Sequence, residues 1–290
     1  MTAPRFLPQR WRQGEAVAAH AEAIAGILDT PPVMARKDGL VLFAAIGCAS
    51  LLPAMVAIKS LARPLQRGRV VLLDDGTLTA EDRAVLAHHF DDPQILRADS
   101  INLRGFPTGH GWESLLAMLE RRSGEYWLRV SHDSVTLGDV PEIAAAIGSN
   151  RSLVELAPDS GPDPVLPFSE VFSSDVLTAG RWRYIHAGGG LAGLAAAQGG
   201  RIIAEAALAL LPAPAANSKG RAEPDQAIGF IVGNEPMPVC LPKNLYRVWA
   251  RGEEWRVGPA FLRFAPANSE RNGAWADASR AAIALLAEPH

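Results

Sequence analysis

Residues 126–134 read Tyr126-Trp127-Leu128-Arg129-Val130-Ser131-His132-Asp133-Ser134, a largely apolar run that leads directly into a polar cluster. Short apolar runs rich in aromatic and β-branched residues are typical of buried strands. A second such run, residues 69–73, leads into Asp74-Asp75-Gly76. Because ligands of open α/β sheets bind at the carboxyl ends of the strands, both polar clusters are candidate binding sites.

Strand and helix signals alternate on both sides of this stretch. Predicted strands cover residues 40–46, 69–73, 94–96 and 126–130, and predicted helices cover residues 12–29, 52–61, 79–89, 112–119 and 139–147. This alternation predicts an α/β fold with a mainly parallel sheet flanked by helices.

The second half of the chain is less regular. Predicted strands cover residues 181–186, 239–241 and 255–264, and predicted helices follow a glycine run up to about residue 211 and cover residues 226–232 and 275–286. Residues 212–224 are rich in Pro and Ala and are predicted to form a mobile loop. We expect residues 1–35 to be an N-terminal helical extension and residues 36–290 to form one domain.

The composition excludes several classes of protein. The chain has 290 residues, 48% of them hydrophobic, and 28 basic against 31 acidic residues, for a net charge of -3. It is therefore not intrinsically disordered, and it lacks the basic excess of a nucleic-acid binder. The two cysteines, Cys48 and Cys240, form neither a disulfide framework nor a cysteine zinc site, so a cytoplasmic location is expected.

One uncharged stretch, residues 39–58, is long enough to span a bilayer. Gly47, Ser50 and Pro53 interrupt it, and its first half resembles a strand. We therefore interpret it as a buried strand, a turn and a helix with Pro53 in the first turn, with a membrane span as the less favoured alternative.

Each polar cluster allows two interpretations. Asp74 and Asp75 could hold a ribose, a base or a metal, or they could belong to a tight turn, since Asp-Gly is a common turn pair. The carboxylate of Asp133 and the imidazole of His132 would suit Mn²⁺ or Mg²⁺ bridging phosphates, or the cluster could simply cap a strand end. The residues alone leave these alternatives open.

The run Gly188-Gly189-Gly190-Leu191-Ala192-Gly193 matches the pattern G-x-G-x-x-G between a predicted strand and a predicted helix. The start of a helix with closely approaching backbone amides would attract a phosphate. However, no acidic residue ends a neighbouring strand about twenty residues later, as a dinucleotide site requires. An NAD(P)-binding oxidoreductase is therefore a minor alternative.

Taken in order, the motifs resemble those of nucleotide-sugar glycosyltransferases of the GT-A fold, especially the glycogenin-like and lipopolysaccharide galactosyltransferase-like group. The resemblance covers residues 40–246 and rests on an early strand–helix unit at residues 40–61, Leu73-Asp74-Asp75-Gly76 with Leu78, residues 126–135 as the strand ending in the D-x-D motif, Gly138-Asp139-Val140-Pro141-Glu142, residues 184–189, Asp225-Gln226, and Leu241-Pro242 with Tyr246. It implies a GT-A-like, Rossmann-like mixed sheet.

The resemblance also implies roles for particular residues. Asp133, Asp225 and His186 take catalytic positions, and Asp133 is the position of the metal ligand. The positions that would bind substrate are Asp74, Asp75, Ser131, His132, Gly188 and Gln226.

The chain departs from the family pattern where the metal would bind. Ser131 replaces the first carboxylate of the D-x-D motif, and residues 261–264 occupy the place of a late metal-binding histidine. A serine hydroxyl is a much poorer ligand for a hard cation than a carboxylate, so dependence on Mn²⁺ or Mg²⁺ is in question. Without a metal, Arg263, Arg271 or Lys243 would have to neutralise the leaving diphosphate.

Two functions follow from the resemblance. The first is transfer of a sugar from a nucleotide diphosphate sugar, with a UDP-sugar as the expected donor, to the hydroxyl of a saccharide or another acceptor. The second, motivated by Ser131, is a non-catalytic relative that binds a nucleotide or sugar or serves in an assembly. A peripheral membrane or assembly partner is a further expectation, and no nucleic-acid partner is expected.

Overall fold

The computed structural model describes residues 7–12, 15–109, 111–172, 181–211, 223–265 and 271–288. Its contacts divide the chain into two units. Unit 1 comprises Met1–Arg97, Val130–Val140 and Arg247–His290, and unit 2 comprises Ala98–Arg129 and Pro141–Tyr246. The domain boundary predicted near residue 36 stays a prediction.

The described strands are β1 Leu40–Ile46, β2 Arg69–Asp74, β3 Gln94–Arg97, β4 Tyr126–Val130, β5 Ser134–Thr136, β6 Leu153–Leu156, β7 Val165–Pro167, β8 Arg183–Ile185, β9 Ala187–Leu194, β10 Val239–Cys240, β11 Tyr246–Val248 and β12 Phe261–Arg263. The described α-helices are α1 Glu15–Ala23, α2 Leu51–Leu65, α3 Ala80–Phe90, α4 Trp112–Arg121, α5 Pro141–Gly148, α6 Phe168–Val171, α7 Gly200–Leu210, α8 Pro224–Gly233 and α9 Arg271–Ala287.

Seven strands form a mixed sheet flanked by helices, which confirms the predicted fold class. Unit 1 contributes β1, β2 and β3, which pair in parallel, with Ile46 opposite Asp74 and Asp74 opposite Arg97. Unit 2 contributes β10, β6, β9 and β4 in that order, and β6 pairs with β9 in the antiparallel direction. The predicted bounds of β1 and β4 match the structure residue by residue.

Helix α2 is buried on almost every side, from Leu51 to Ala62. Within the described residues, the stretch Cys48–Leu65 is long and apolar enough to cross a membrane by length and composition, but 78% of it is buried inside the protein. A core helix gives the same signal, so this finding carries little weight. The prediction that helix α2 ends before Pro64 is wrong, because a proline in the last turn removes only one hydrogen bond. The helix ends at Leu65, where Gln66 in the left-handed conformation caps it.

The glycine run forms part of strand β9, so the prediction that it opens a helix is wrong. The next helix, α7, begins only at Gly200. A Cβ atom at Gly193 would lie 2.3 Å from the hydroxyl oxygen of Tyr126, and one at Gly188 would lie 3.0 Å from the carbonyl oxygen of Leu156. These glycines allow close packing inside unit 2, and the NAD(P)-binding alternative loses its only observation.

The second half of the chain departs from the sequence pattern before β12. The strand predicted over residues 255–264 is confined to β12, since Arg256, Val257 and Gly258 before it are exposed and lie in a bend. The mobile loop predicted for residues 212–224 falls, except for its last two residues, outside the described part of the chain.

Helix α8 packs directly against strand β8. A Cβ atom at Gly229 would lie 2.0 Å from the carbonyl oxygen of Ile185, so only glycine fits at this position. One turn later, the Asn234 side chain accepts a hydrogen bond from the Arg183 backbone N–H at 2.9 Å and donates one to its carbonyl at 2.8 Å. The middle and the C-terminal end of α8 are thereby fixed to the strand.

We predict that Gly229→Ala destabilises the protein by about 1–3 kcal/mol, because the added methyl group collides with a backbone oxygen that cannot move independently. The matched control is Gly273→Ala in α9, where nothing lies within 4 Å of the new Cβ atom. This control should be neutral or stabilise the protein by about 0.5–1 kcal/mol through helix propensity. Urea unfolding of both variants measures the difference, and equal midpoints would refute the close packing.

Candidate functional site

The two aspartates at the end of β2 have different environments. Asp74 is buried, and its carboxylate accepts hydrogen bonds from the backbone N–H groups of Gly76 at 2.8 Å and Leu78 at 3.4 Å. Its second oxygen is paired with Arg83. Because protein donors already occupy both oxygens, Asp74 shapes the turn, as the turn interpretation predicts.

Asp75 is exposed and lies over the end of β1. Its backbone N–H donates to the Ile46 carbonyl at 3.0 Å, and its carboxylate accepts from the hydroxyl of Thr77 at 2.6 Å. The Thr77 hydroxyl in turn accepts from the Cys48 backbone N–H at 2.8 Å. A Cβ atom at Gly47 would lie 2.1 Å from the Asp75 carboxylate, so the glycine makes room for this side chain. Asp75 is therefore held in place and accessible to a ligand.

Of the four side chains in the polar cluster after β4, two are buried and two are half-buried. Ser131 and His132 are half-buried, whereas Asp133 is buried. The Ser131 carbonyl accepts a hydrogen bond from the Ser134 hydroxyl at 2.5 Å. In unit 1, Asp133 carries an ion pair with Arg263, whose Nε lies 3.4 Å from Oδ2 of the carboxylate.

In unit 2, Arg129 holds Asp225 in position. The Nη2 atom of Arg129 donates to the Asp225 carboxylate at 2.8 Å and to the Gly189 carbonyl at 2.9 Å. Asp225 lies in the first turn of α8, where the helix dipole favours a negative charge, and 44% of its side chain is exposed. No sequence motif marked Arg129, although an arginine inside an apolar strand is a visible signal.

The remaining predicted positions in unit 2 have mixed environments. Gln226 accepts a hydrogen bond from the Glu223 backbone N–H at 3.0 Å and so caps α8, which gives it a structural role. His186 lies between β8 and β9, half-buried, with its ring edge-on to Tyr184 at 5.1 Å. Gly188 is half-buried in β9. His186, Gly188 and Asp225 thus retain surface that a ligand can reach.

A buried carboxylate that sequence reasoning missed lies next to the glycine strand. Glu155 is fully buried, and it accepts a hydrogen bond from the Gly190 backbone N–H at 2.9 Å. A Cβ atom at Gly188 would lie 3.1 Å from this side chain. Because Glu155 lies inside an apolar run, no local pattern marks it, and only the pairing of β6 with β9 reveals its position.

Comparison with known proteins identifies the fold. No family profile and no curated protein sequence matches the chain. Among solved structures, the galactosyltransferase LgtC in complex with donor and acceptor sugar analogues superposes with a TM-score of 0.55 at 15% identity, covering 87% of this chain and 97% of LgtC. This chain has the GT-A glycosyltransferase fold.

A second GT-A neighbour is the bifunctional glycosyltransferase WbbM in its apo form, with a TM-score of 0.50 at 13% identity. The match covers 86% of this chain, which spans 50% of the WbbM chain. Both neighbours confirm the fold expected from the order of the sequence motifs. At these identities the likeness shows the GT-A fold alone.

The three tyrosines of the protein all lie in unit 2 and all resist ionisation. Burial, followed by the charges of Asp225 and Asp159, raises the pKa of Tyr184 to about 12. Burial also raises the pKa of Tyr126 and Tyr246, with added contributions from Glu235 and Glu142 respectively.

We predict that the folded protein shows no tyrosinate absorbance at 295 nm at pH 10, where a free tyrosine is half ionised. Between pH 10 and about 12 the unfolded chain releases these protons while the folded chain keeps them, so stability must fall as pH rises. Absorbance and circular dichroism are recorded together across this range. Half-ionisation near pH 10 with native circular dichroism would contradict the burial of these side chains.

Proposed function

We propose that this chain is a glycosyltransferase that takes a sugar from a nucleotide diphosphate sugar, with a UDP-sugar as the expected donor, and passes it to a hydroxyl acceptor such as a saccharide. The observation that carries the proposal is the accessible carboxylate of Asp75, held at the end of β2 within a GT-A fold. LgtC, a neighbour with this fold, was solved with donor and acceptor sugar analogues.

The donor would bind to unit 1. An exposed carboxylate accepts hydrogen bonds from ribose hydroxyls or from the N–H group of a base, and Asp75 offers such a group beside the exposed turn at Gly76. The cluster after β4 would meet the diphosphate. Of its members, Ser131 and His132 keep exposed surface, whereas Asp133 contributes through its contact with Arg263.

The transferred sugar and its acceptor would involve unit 2. Glycosyl transfer develops positive charge on the reacting carbon, and a nearby carboxylate stabilises that charge. Asp225 is a half-buried carboxylate of unit 2 that an arginine orients, since Arg129 fixes one of its oxygens at 2.8 Å. We assign Asp225 to the reacting centre, Arg129 to positioning it, and His186 with Gly188 to contacts with the sugar.

A non-catalytic nucleotide- or sugar-binding protein is the second candidate. It is favoured by a specific observation, namely that the buried Asp133 faces an arginine and that Ser131 replaces its partner carboxylate. In this alternative the chain binds a donor without transferring the sugar, for example as a subunit of an assembly at a membrane surface. A cytoplasmic location belongs to both proposals.

One experiment separates the two candidates. Nucleoside diphosphates, beginning with UDP, are titrated into the protein, and sugar nucleotides are then followed for release of the diphosphate. Asp225→Asn should reduce this release about 100-fold or more while leaving UDP affinity unchanged, because it removes a charge needed only at the reacting carbon. The matched control is Asp277→Asn in α9, whose side chain is 43% exposed and also paired with an arginine.

The outcomes differ clearly. Binding of UDP without any release of diphosphate from sugar nucleotides would support the non-catalytic candidate. Release that is insensitive to Asp225→Asn would remove Asp225 from the reacting centre. Failure of every nucleoside diphosphate to bind would overturn both candidates.

We further predict that Gly47→Ala weakens UDP binding about 10-fold or more. The new Cβ atom would occupy the space of the Asp75 carboxylate, 2.1 Å away, and the exposed side chain can rotate out. Stability should change by less than about 1 kcal/mol, since Gly47 has an extended backbone that alanine also adopts. Calorimetric titration and urea unfolding measure the two effects, and unchanged affinity would exclude Asp75 from the nucleotide site.

A further inference from the structure

The strongest unexplained feature of unit 1 is the arginine that faces Asp133. Strand β12 pairs with β5 in the antiparallel direction and places Arg263 opposite Ser134. The Phe264 backbone N–H donates to the Asp133 carbonyl at 2.7 Å, which fixes the two segments together. The guanidinium Nε then lies 3.4 Å from the Asp133 carboxylate.

Exposure differs sharply within this ion pair. The Arg263 side chain is 16% exposed, whereas the Asp133 side chain is 2% exposed. An approaching ligand therefore meets the arginine before the carboxylate. A guanidinium has five N–H donors in a planar arrangement that suits phosphate oxygens, so it can contact a phosphate as well as a carboxylate.

The residues at this position do not fit a divalent cation. Mg²⁺ and Mn²⁺ require oxygen ligands, usually carboxylates, yet Ser131 supplies only a hydroxyl and Asp133 is buried against a cation. Among the described residues, no group of three or more His, Cys, Asp or Glu side chains could hold a metal ion. The sequence resemblance implied that Asp133 binds a metal. Such a metal would lie beside the guanidinium of Arg263, and the two positive charges would repel each other.

Charge counting gives the same result. Two carboxylates and one divalent cation sum to zero, and so do one carboxylate and one guanidinium. The replacement of a carboxylate by Ser131 therefore matches the replacement of a divalent cation by Arg263, and the charge that a diphosphate meets is unchanged.

We propose that Arg263 takes the place of the divalent cation and binds the diphosphate of the donor, with Asp133 acting as the positioning residue for its guanidinium. This inference rests on the proposed function, because it assumes a nucleotide diphosphate ligand. It assigns a metal-independent donor site to the chain. The leaving diphosphate is stabilised by charge-assisted hydrogen bonds from an arginine that the ion pair orients in advance.

The first test uses the wild-type protein and compares UDP binding by calorimetry in EDTA with binding in excess Mn²⁺. Equal affinity, within about 3-fold, is expected, since no ligand site depends on the metal. A UDP affinity that rises about 10-fold or more with Mn²⁺ would overturn the inference while leaving the proposed function intact. Absence of binding by UDP and by every other nucleoside diphosphate would overturn the proposed function itself.

The second test uses variants of Arg263. Arg263→Gln should weaken UDP binding about 10- to 100-fold and leave uridine binding unchanged, because hydrogen bonds to charged groups contribute about 1.5–3 kcal/mol each. Arg263→Lys should recover part of the loss, since it restores the charge without the planar geometry. The control is Arg256→Gln, which removes a 62% exposed arginine of the same unit and should not change UDP binding.

A third variant tests the charge argument directly. The double variant Ser131→Asp, Arg263→Gln restores two carboxylates and removes the cation, so its UDP binding should become dependent on Mn²⁺. Equal loss of UDP and uridine affinity in Arg263→Gln, in a protein with native circular dichroism, would count against a contact with the diphosphate. If Arg263→Gln does not fold, the comparison of EDTA with Mn²⁺ in the wild type still decides whether donor binding depends on a metal.

Discussion

The burial of the Asp133 carboxylate is the constraint on which the candidate donor site depends. A buried carboxylate costs several kcal/mol of desolvation unless a cation and hydrogen bonds compensate it. The compensating cation, Arg263, comes from a position 130 residues later in the chain. The conformation of the polar cluster after β4 therefore depends on the pairing of strand β12 with β5. The ion pair of the candidate site thus depends on the pairing of two strands of unit 1.

Unit 2 also holds an ion pair of an aspartate and an arginine, but there the aspartate is the more exposed partner. In the pair of Arg129 and Asp225 the arginine is the less exposed partner, with 11% of its side chain exposed against 44% for the carboxylate. In the pair of Arg263 and Asp133 the carboxylate is buried. The group that stays accessible sets the chemistry that each pair can perform. One pair offers a cation suited to a phosphate, and the other offers an anion suited to a positively charged reacting carbon.

Several glycines allow the close packing that places these charged side chains. Gly47 leaves space for the Asp75 carboxylate, and Gly229 allows α8, the helix that carries Asp225, to approach β8. The glycines of β9 serve the same purpose, because Tyr126 and Glu155 fill the space above them. Small residues thus set the positions of charged side chains that are distant from them in sequence.

The sequence by itself determined the α/β fold class and the bounds of β1 and β4, because hydrophobic periodicity is a local property. The GT-A motifs were found by their resemblance to a known family. The sequence also showed that Ser131 stands where the D-x-D motif of that family has its first carboxylate. Only the tertiary structure decided that Asp74 is structural while Asp75 is accessible, and that Asp133 faces Arg263. It also decided that the glycine run is a strand. These properties depend on contacts between segments far apart in the chain, which no local pattern encodes.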